Sequence, residues 1–395
     1  MRIGLVVPRF GERLVGGAEM HARQLAERLQ RAGHDIEIVT TCALDHHTWR
    51  NELPPGQSVV GDLRVLRFPA DNRDLGIHGE MERAITHGFP LSVEEELLWL
   101  RHGVSSSAME EYLASSPTRY DVVLAMPYLF GTTYFASVAA ASPFVVIPCL
   151  HDEAYARLAF VRSMLENATG VLFNAHPESD LGLRLAPEIA RWEVVGMGFD
   201  PDPPQPPSVF RSKHGVEGPI LLYVGRREGG KNTPLLIDHF MRYKHRRAGS
   251  DLQLVLVGSG EPVPKHPAIH AIEIDWSYRD SMYRAATIFC QPSTNESLSI
   301  VVMQAWLAQR AVVVHADCAV TVDHCRRSNG GVWFRSYAEF EAIVDRLVGD
   351  EPLRRTLGES GRRWVGETYS WESVLDRFDR AVGSWVGSEA VTSGS

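Results

Sequence analysis

The sequence predicts an α/β protein of two Rossmann-like domains, each a mainly parallel sheet flanked by helices. Three observations carry this. Short β-rich runs alternate with helical patterns almost from end to end. Most runs are continuously apolar rather than alternating, as in a parallel sheet buried on both faces. A segment holding Pro201, Pro203, Pro204, Pro206 and Pro207 divides the series into two similar halves, since prolines cannot sit in a helix interior or a central strand. The length of 395 residues agrees, at roughly 150 residues per domain.

In the first half, strands are expected at Ile3–Val7, Ile36–Val39, Leu63–Phe68, Val122–Ala125, Phe144–Pro148, Gly170–Phe173 and Glu193–Val195. Between the first two, Ala22, Leu25, Leu29 and Ala32 recur every three or four positions and mark one helix face, with Gly33 as its stop. Residues 196–219 read as a link between domains. The second half predicts strands at Ile220–Val224, Leu252–Val257, Ile272–Ile274, Ile288–Gln291 and Val312–His315, with further helix from Ala338 to Val386. Facing C-terminal strand edges of the two halves would form a cleft, the usual place for a ligand.

Composition narrows the function. With 44% hydrophobic and 23% charged residues the chain is globular. A net charge of −9 lacks the electrostatic footprint of a nucleic-acid binder. Cys42, Cys149, Cys290, Cys318 and Cys325 are few and odd in number, which predicts reduced thiols and a cytoplasmic setting. Cys318, His324 and Cys325 cluster, but their spacing fits no standard zinc finger, so no metal site is expected. The first apolar run is five residues, short of a secretory core of ~7–15. Pro143 splits the most apolar stretch, Thr132 to Leu150. The expectation is a soluble chain that is not exported.

Four loops could carry chemistry. Gly16 and Gly17, after the first strand, would let backbone N–H groups approach an anion. The loop does not fit G-x-G-x-x-G, and strand two ends in Thr40-Thr41 where a ribose-binding acid would stand, so a nicotinamide cofactor is disfavoured. GRREGGKN, residues 225–232, nearly matches a P-loop, yet Asn232 replaces the magnesium-binding Ser or Thr. Ile274-Asp275 is the one weak candidate for a magnesium-binding acid. Arg226 and Lys231 suit a diphosphate by charge and geometry, or else are solvated surface cations. Third, Ile288–Gln291 leads through Glu296 into a helix expected to start near Ser297 or Leu298, whose free amides at Ser297, Leu298, Ser299 and Ile300 would bind negative charge. Gln304, eight positions after Glu296, would lie ~12 Å further along that helix. Fourth, His151-Asp152 follows the strand Phe144–Pro148 at the binding edge.

Taken in order, these segments resemble the retaining glycosyltransferases of family four, which have the GT-B fold of two facing Rossmann-like domains. The likeness spans nearly the whole chain. It rests on Gly16-Gly17, His151-Asp152, Gly198-Phe199-Asp200, the Gly225-Arg226…Lys231 signature, Gly258-x-Gly260, and Tyr369-Ser370-Trp371-Glu372. The last resembles the start of the family's final helix, which crosses back onto the first domain. This implies a first, acceptor-side domain of 1–199 plus 371–388, a linker of 200–219, a donor domain of 220–370, and a disordered tail of 389–395. The chain departs from the family where two glutamates usually stand eight apart around Glu-Gly-Phe-Gly-Leu. Here the stretch reads Glu296-Ser297-Leu298-Ser299-Ile300, with Gln304 in the second place. Neutral Gln accepts ribose hydroxyls more weakly than a carboxylate.

The resemblance implies transfer of a hexose-type sugar from a nucleotide diphosphate sugar, UDP- or GDP-linked, to an acceptor hydroxyl, with no cofactor and no metal. It implies His151, Glu296, Arg226 and Lys231 as catalytic. It implies Gly16, Gly17, Arg226, Lys231 and the amides of residues 297–300 as diphosphate-binding, and Gln304, Gly258, Trp276 and Ser277 as nucleoside-binding. The stretch Asp71 to Tyr112, near the acceptor side, is acidic rather than basic and predicts at most transient membrane contact. A nucleotide-sugar-binding pseudo-enzyme and a magnesium-dependent P-loop-like NTPase stay open as alternatives.

Overall fold

The computed structural model describes every residue except 13, 15, 116, 274, 275 and 393–395. The chain divides into two compact units, Met1–Met197 with Val374–Ser395, and Gly198–Ser373.

The first unit is built on an eight-stranded sheet. Its strands are β1 Arg2–Val6, β2 Asp35–Thr41, β3 Gly56–Val60, β4 Leu63–Phe68, β5 Val122–Ala125, β6 Phe144–Val146, β7 Gly170–Phe173 and β8 Trp192–Val194. Their order is β3-β4-β2-β1-β5-β6-β7-β8, and all neighbours are parallel except β3 with β4. Strand β3 escapes the sequence reading because its first four residues are exposed at the sheet edge and form no apolar run. The signal it leaves is the two-residue turn Gly61-Asp62, where Gly61 adopts φ +59°. The helix Gly17–Arg31 buries Ala22, Leu25, Ala26 and Leu29 as its periodicity predicts. Ala32 is exposed and ends it, and Gly33 at φ +95° reverses the chain so that His34 N–H reaches Leu29 O at 3.0 Å.

The last helix, Trp371–Thr392, belongs to the first unit from Val374 onward. Arg377 donates to Val195 O at 2.9 Å, and Trp385 lies against Gly170, where a Cβ would stand 2.2 Å from the indole. The tail reading needs correction: helix continues to Thr392, and only residues 393–395 lie outside the described ones.

The second unit carries β9 Ile220–Val224, β10 Gln253–Val257, β11 Ile269–Ile272, β12 Ile288–Gln291, β13 Val312–His315 and β14 Gly331–Phe334. The order is β11-β10-β9-β12-β13-β14, parallel throughout. Strand β14 went unpredicted because a four-residue run opening on a glycine pair reads as a turn. The proline-rich link is also corrected. Pro206 and Pro207 start a helix, Pro207–His214, whose first-turn amides need no intrahelical partner. Fully buried Phe210 anchors it, Ser281 Oγ donates to Pro206 O at 2.6 Å, and Gly215 closes it at φ +61°.

The helix Ile300–Leu307 follows β12 and leads from the third candidate loop. Trp306 fixes it from below: the indole is fully buried, donates to Gly330 O at 2.9 Å, and fills the space left by Gly361 of the helix Glu351–Thr368. A Cβ at Gly361 would meet that ring at 2.1 Å, so the glycine sets how closely the two helices approach.

Candidate active site

Two loops of the second unit interlock at the C-terminal ends of β9 and β10. Gly225 N–H donates to Val257 O at 2.9 Å, Arg227 N–H to Ser259 O at 2.8 Å, and Glu261 N–H to Arg227 O at 2.8 Å. The approach is backbone to backbone. A Cβ on Gly258 would stand 2.3 Å from Gly225 O, and one on Gly260 2.2 Å from Arg227 O. Both glycines also hold φ near +130°, which other residues rarely adopt. Gly258 therefore shapes the loop that presents Arg226 and Lys231.

Asn232 connects this loop to the next. It adopts the left-handed conformation, φ 55° and ψ 27°, which asparagine tolerates better than most residues. Its Nδ2 donates to Pro292 O at 3.1 Å, at the start of the loop that carries Glu296. The residue standing where a P-loop carries its Ser or Thr thus serves as a clamp between two loops.

Lys231 and Glu296 meet across that junction. Lys231 Nζ lies 2.8 Å from Glu296 Oε1, with side chains 24% and 10% exposed. Gln291 Nε2, at the end of β12, approaches the same oxygen at 3.4 Å. Gln291 was not among the sequence candidates. Its signal is a polar residue closing an otherwise apolar strand.

The helix after Glu296 starts later than the sequence suggested. Ser299, not Ser297, is its N-cap, in the left-handed region at φ 66°, and Ile300 is the first helical residue. Leu298 is buried, and its carbonyl accepts the Nε2–H of His324 at 3.0 Å. Val302 N–H closes the first turn onto Ser299 O at 3.0 Å. Ser299 Oγ is buried at this N-terminus without a partner, where helix amides favour an anion. Because Glu296 precedes the helix, the separation expected from two continuous turns does not apply. Gln304 Oε1 instead accepts Tyr283 OH at 2.9 Å.

The other candidates separate. The Arg226 side chain is 63% exposed and pairs with Glu228 at 3.3 Å, as a solvated cation would. Its neighbour Arg227, passed over in sequence, binds loop carbonyls: Nε reaches Glu261 O at 3.0 Å and Nη1 reaches Gly258 O. Trp276 is 43% exposed in a short turn, Trp276–Tyr278, so it is not a core residue. Ser277 O accepts Gln205 Nε2 at 2.9 Å. Ile274 and Asp275 lie outside the described residues. Cys318 and Cys325 are buried with thiols pushed up by burial, and among the described residues no three ligand groups converge on a metal position.

In the first unit, Gly16 caps the helix Gly17–Arg31 in extended backbone, and Glu19 of the first turn binds Arg9 Nε at 2.7 Å. His151 Nδ1 stands 3.9 Å from Glu153 Oε1, which accepts Tyr128 OH at 2.7 Å. Asp152 pairs with Arg157 at 2.5 Å. The backbone before His151 is held from below by Glu178, 1% exposed. Glu178 accepts Leu150 N–H at 2.6 Å on one oxygen and Asn174 N–H at 2.5 Å on the other, tying the loops after β6 and β7 together. Burial pushes this carboxyl up to about 8, against the pull of those two amides.

Known proteins share the sequence pattern and the fold of this chain. The family model described as glycosyl transferases group 1 matches residues 205–364, and that of the glycosyl transferase 4-like domain residues 16–198. A phosphatidyl-myo-inositol mannosyltransferase of Mycobacterium tuberculosis is 24% identical, covering 99% of this chain and 98% of that protein. Among solved structures, sucrose-phosphate synthase from Thermosynechococcus elongatus superimposes with a TM-score of 0.72 at 17% identity, covering 98% and 99% of the two chains. Anabaena HepE in complex with UDP and glucose gives 0.67 at 15% identity, covering 97% and 100%.

Proposed function

Since this chain belongs to the glycosyl transferases of group 1, we propose that it moves a hexose-type sugar from a UDP- or GDP-linked donor to an acceptor hydroxyl with retention of anomeric configuration. The observation that carries this is the Lys231–Glu296 pair, held at the C-terminal end of the second sheet beside the Ser299 helix start. The complex of the structurally similar HepE with UDP and glucose supports a nucleotide-sugar donor.

In this reading the donor's diphosphate takes Lys231, the amides near Ser299 and Ile300, and Arg226. The exposed Arg226–Glu228 pair is worth little, so Arg226 can turn to the phosphate at small cost. Glu296 accepts hydrogen bonds from the sugar hydroxyls. As the bond from sugar carbon to diphosphate oxygen breaks, negative charge grows on the phosphate and is met by these donors. The acceptor oxygen bonds the same face, and its proton passes to the leaving phosphate oxygen. No protein nucleophile is needed. The cations and amides do what a divalent metal does elsewhere, so turnover is independent of added metal. The nucleoside is assigned to Gly258, Trp276, Ser277 and Gln304. The acceptor is a hydroxyl compound bound to the first unit in a cytoplasmic setting. Among the described residues no helix is long and apolar enough to cross a membrane.

A thermal-shift panel of UDP-, GDP-, ADP- and dTDP-sugars together with ATP and GTP, with and without Mg²⁺, tests the donor class. UDP- or GDP-sugars should raise Tm equally in EDTA and in Mg²⁺. Stabilisation by ATP or GTP only with Mg²⁺ would select the NTPase reading instead.

A further inference from the structure

Gln291 sits where packing asks for no polar group. Ile288, Phe289 and Cys290 before it are fully buried, and its register partner on β13 is Val314. The residue is 3% exposed. Its Nε2 faces Glu296 Oε1 at 3.4 Å. Turning the amide over would set a carbonyl against a carboxylate, so charge fixes its orientation. In that orientation its own Oε1 is buried and meets no donor. An orphaned buried carbonyl destabilises a fold, and an apolar side chain of similar size would remove that cost.

We infer that Gln291 is a positioning residue for sugar transfer: it holds the Glu296 carboxylate in place when Lys231 turns its charge to the donor's diphosphate. The inference rests on the transferase reading above. Among the described residues one ammonium serves Glu296. With donor bound, the same ammonium faces a second and stronger anion. A neutral amide keeps Glu296 oriented without competing for the phosphate and without weakening the carboxylate as an acceptor. A second lysine would pair with the diphosphate itself, and a second acid would repel Glu296.

Gln291→Leu and Gln291→Glu test this, beside wild type. The leucine variant should fold with Tm unchanged or raised, bind a nucleotide sugar within about threefold of wild type, and lose on the order of tenfold in kcat. The glutamate variant places two carboxylates side by side, so the acid limb of its kcat profile should move up by about one pH unit. Wild-type kcat in the leucine variant with an unmoved acid limb in the glutamate variant overturns the inference and leaves the transferase reading standing. If wild type itself transfers sugar from no donor, that reading falls. The inference then falls with it, since no residue positions a group for a transfer the chain does not make.

Discussion

Lys231→Ala is expected to lower kcat/KM for sugar transfer by on the order of 10²–10³-fold, the loss typical when one fixed donor to a developing anion is removed. Two effects combine. The proposed diphosphate site loses a cation, and Glu296, 10% exposed, loses the ammonium that stood 2.8 Å away. A charge left unpaired at such depth also costs stability. Lys231→Ala should therefore melt lower than wild type, and adding Glu296→Gln should recover part of that loss without recovering activity. Steady-state kinetics and calorimetry on the three variants read both parts. Near-wild-type turnover in Lys231→Ala would remove the cation from the mechanism.

A second large effect is expected in the first unit, as a function of pH. Glu178 has its proton affinity raised by burial from 4.5 to about 8. Between those values the folded chain holds a proton that the unfolded chain has lost. The stability this residue contributes is then full below pH ~4.5 and is lost as pH rises through about 8, at ~1.4 kcal/mol for each unit of separation. The backbone N–H donors that favour the ionised form are already contained in that value, so the loss between pH 5 and 9 is on the order of 4 kcal/mol. Glu178→Gln cannot titrate, and its NH₂ faces one of two N–H donors at a cost of about 1–3 kcal/mol. The variant should melt below wild type at pH 5, with the two curves converging towards pH 9. Parallel curves would show that Glu178 stays ionised throughout.

Much of this was legible in the sequence, and the failures have local causes. Strands buried on both faces, such as Ile220–Val224 and Val122–Ala125, show as apolar runs with the bounds the structure has. Strand β3 is exposed along four of its five residues, and β14 opens on Gly331 behind Gly330 and exposes Trp333, so neither leaves a continuous apolar run. Prolines at 206 and 207 read as breakers because sequence does not say which one begins a helix. The Glu296 loop misled by one turn. Two serines stand where the family has glycines, and only the backbone shows that Ser299 takes the left-handed position and delays the helix. Lys231 and Glu296 were each legible as types of residue. That they touch, through the clamp Asn232 provides, depends on the register of β9 against β12 and on two loops meeting. Gln291 and Glu178 were invisible for one reason. Gln291 closes an apolar strand and Glu178 lies in the polar first turn of the helix His176–Leu185, and in neither setting does a polar residue show that it is buried until its partners are known.

The central claim is that a donor bound at Lys231 and Glu296 gives up its sugar with the anomeric configuration kept. ¹H NMR of the product formed by wild type in EDTA, from an α-linked UDP- or GDP-sugar and a panel of hydroxyl acceptors, tests it most directly. An anomeric proton with the small coupling of an α-glucosyl-type linkage is expected, and no such signal from Glu296→Ala. A β-linked product, or transfer that appears only when a divalent metal is restored, would contradict it.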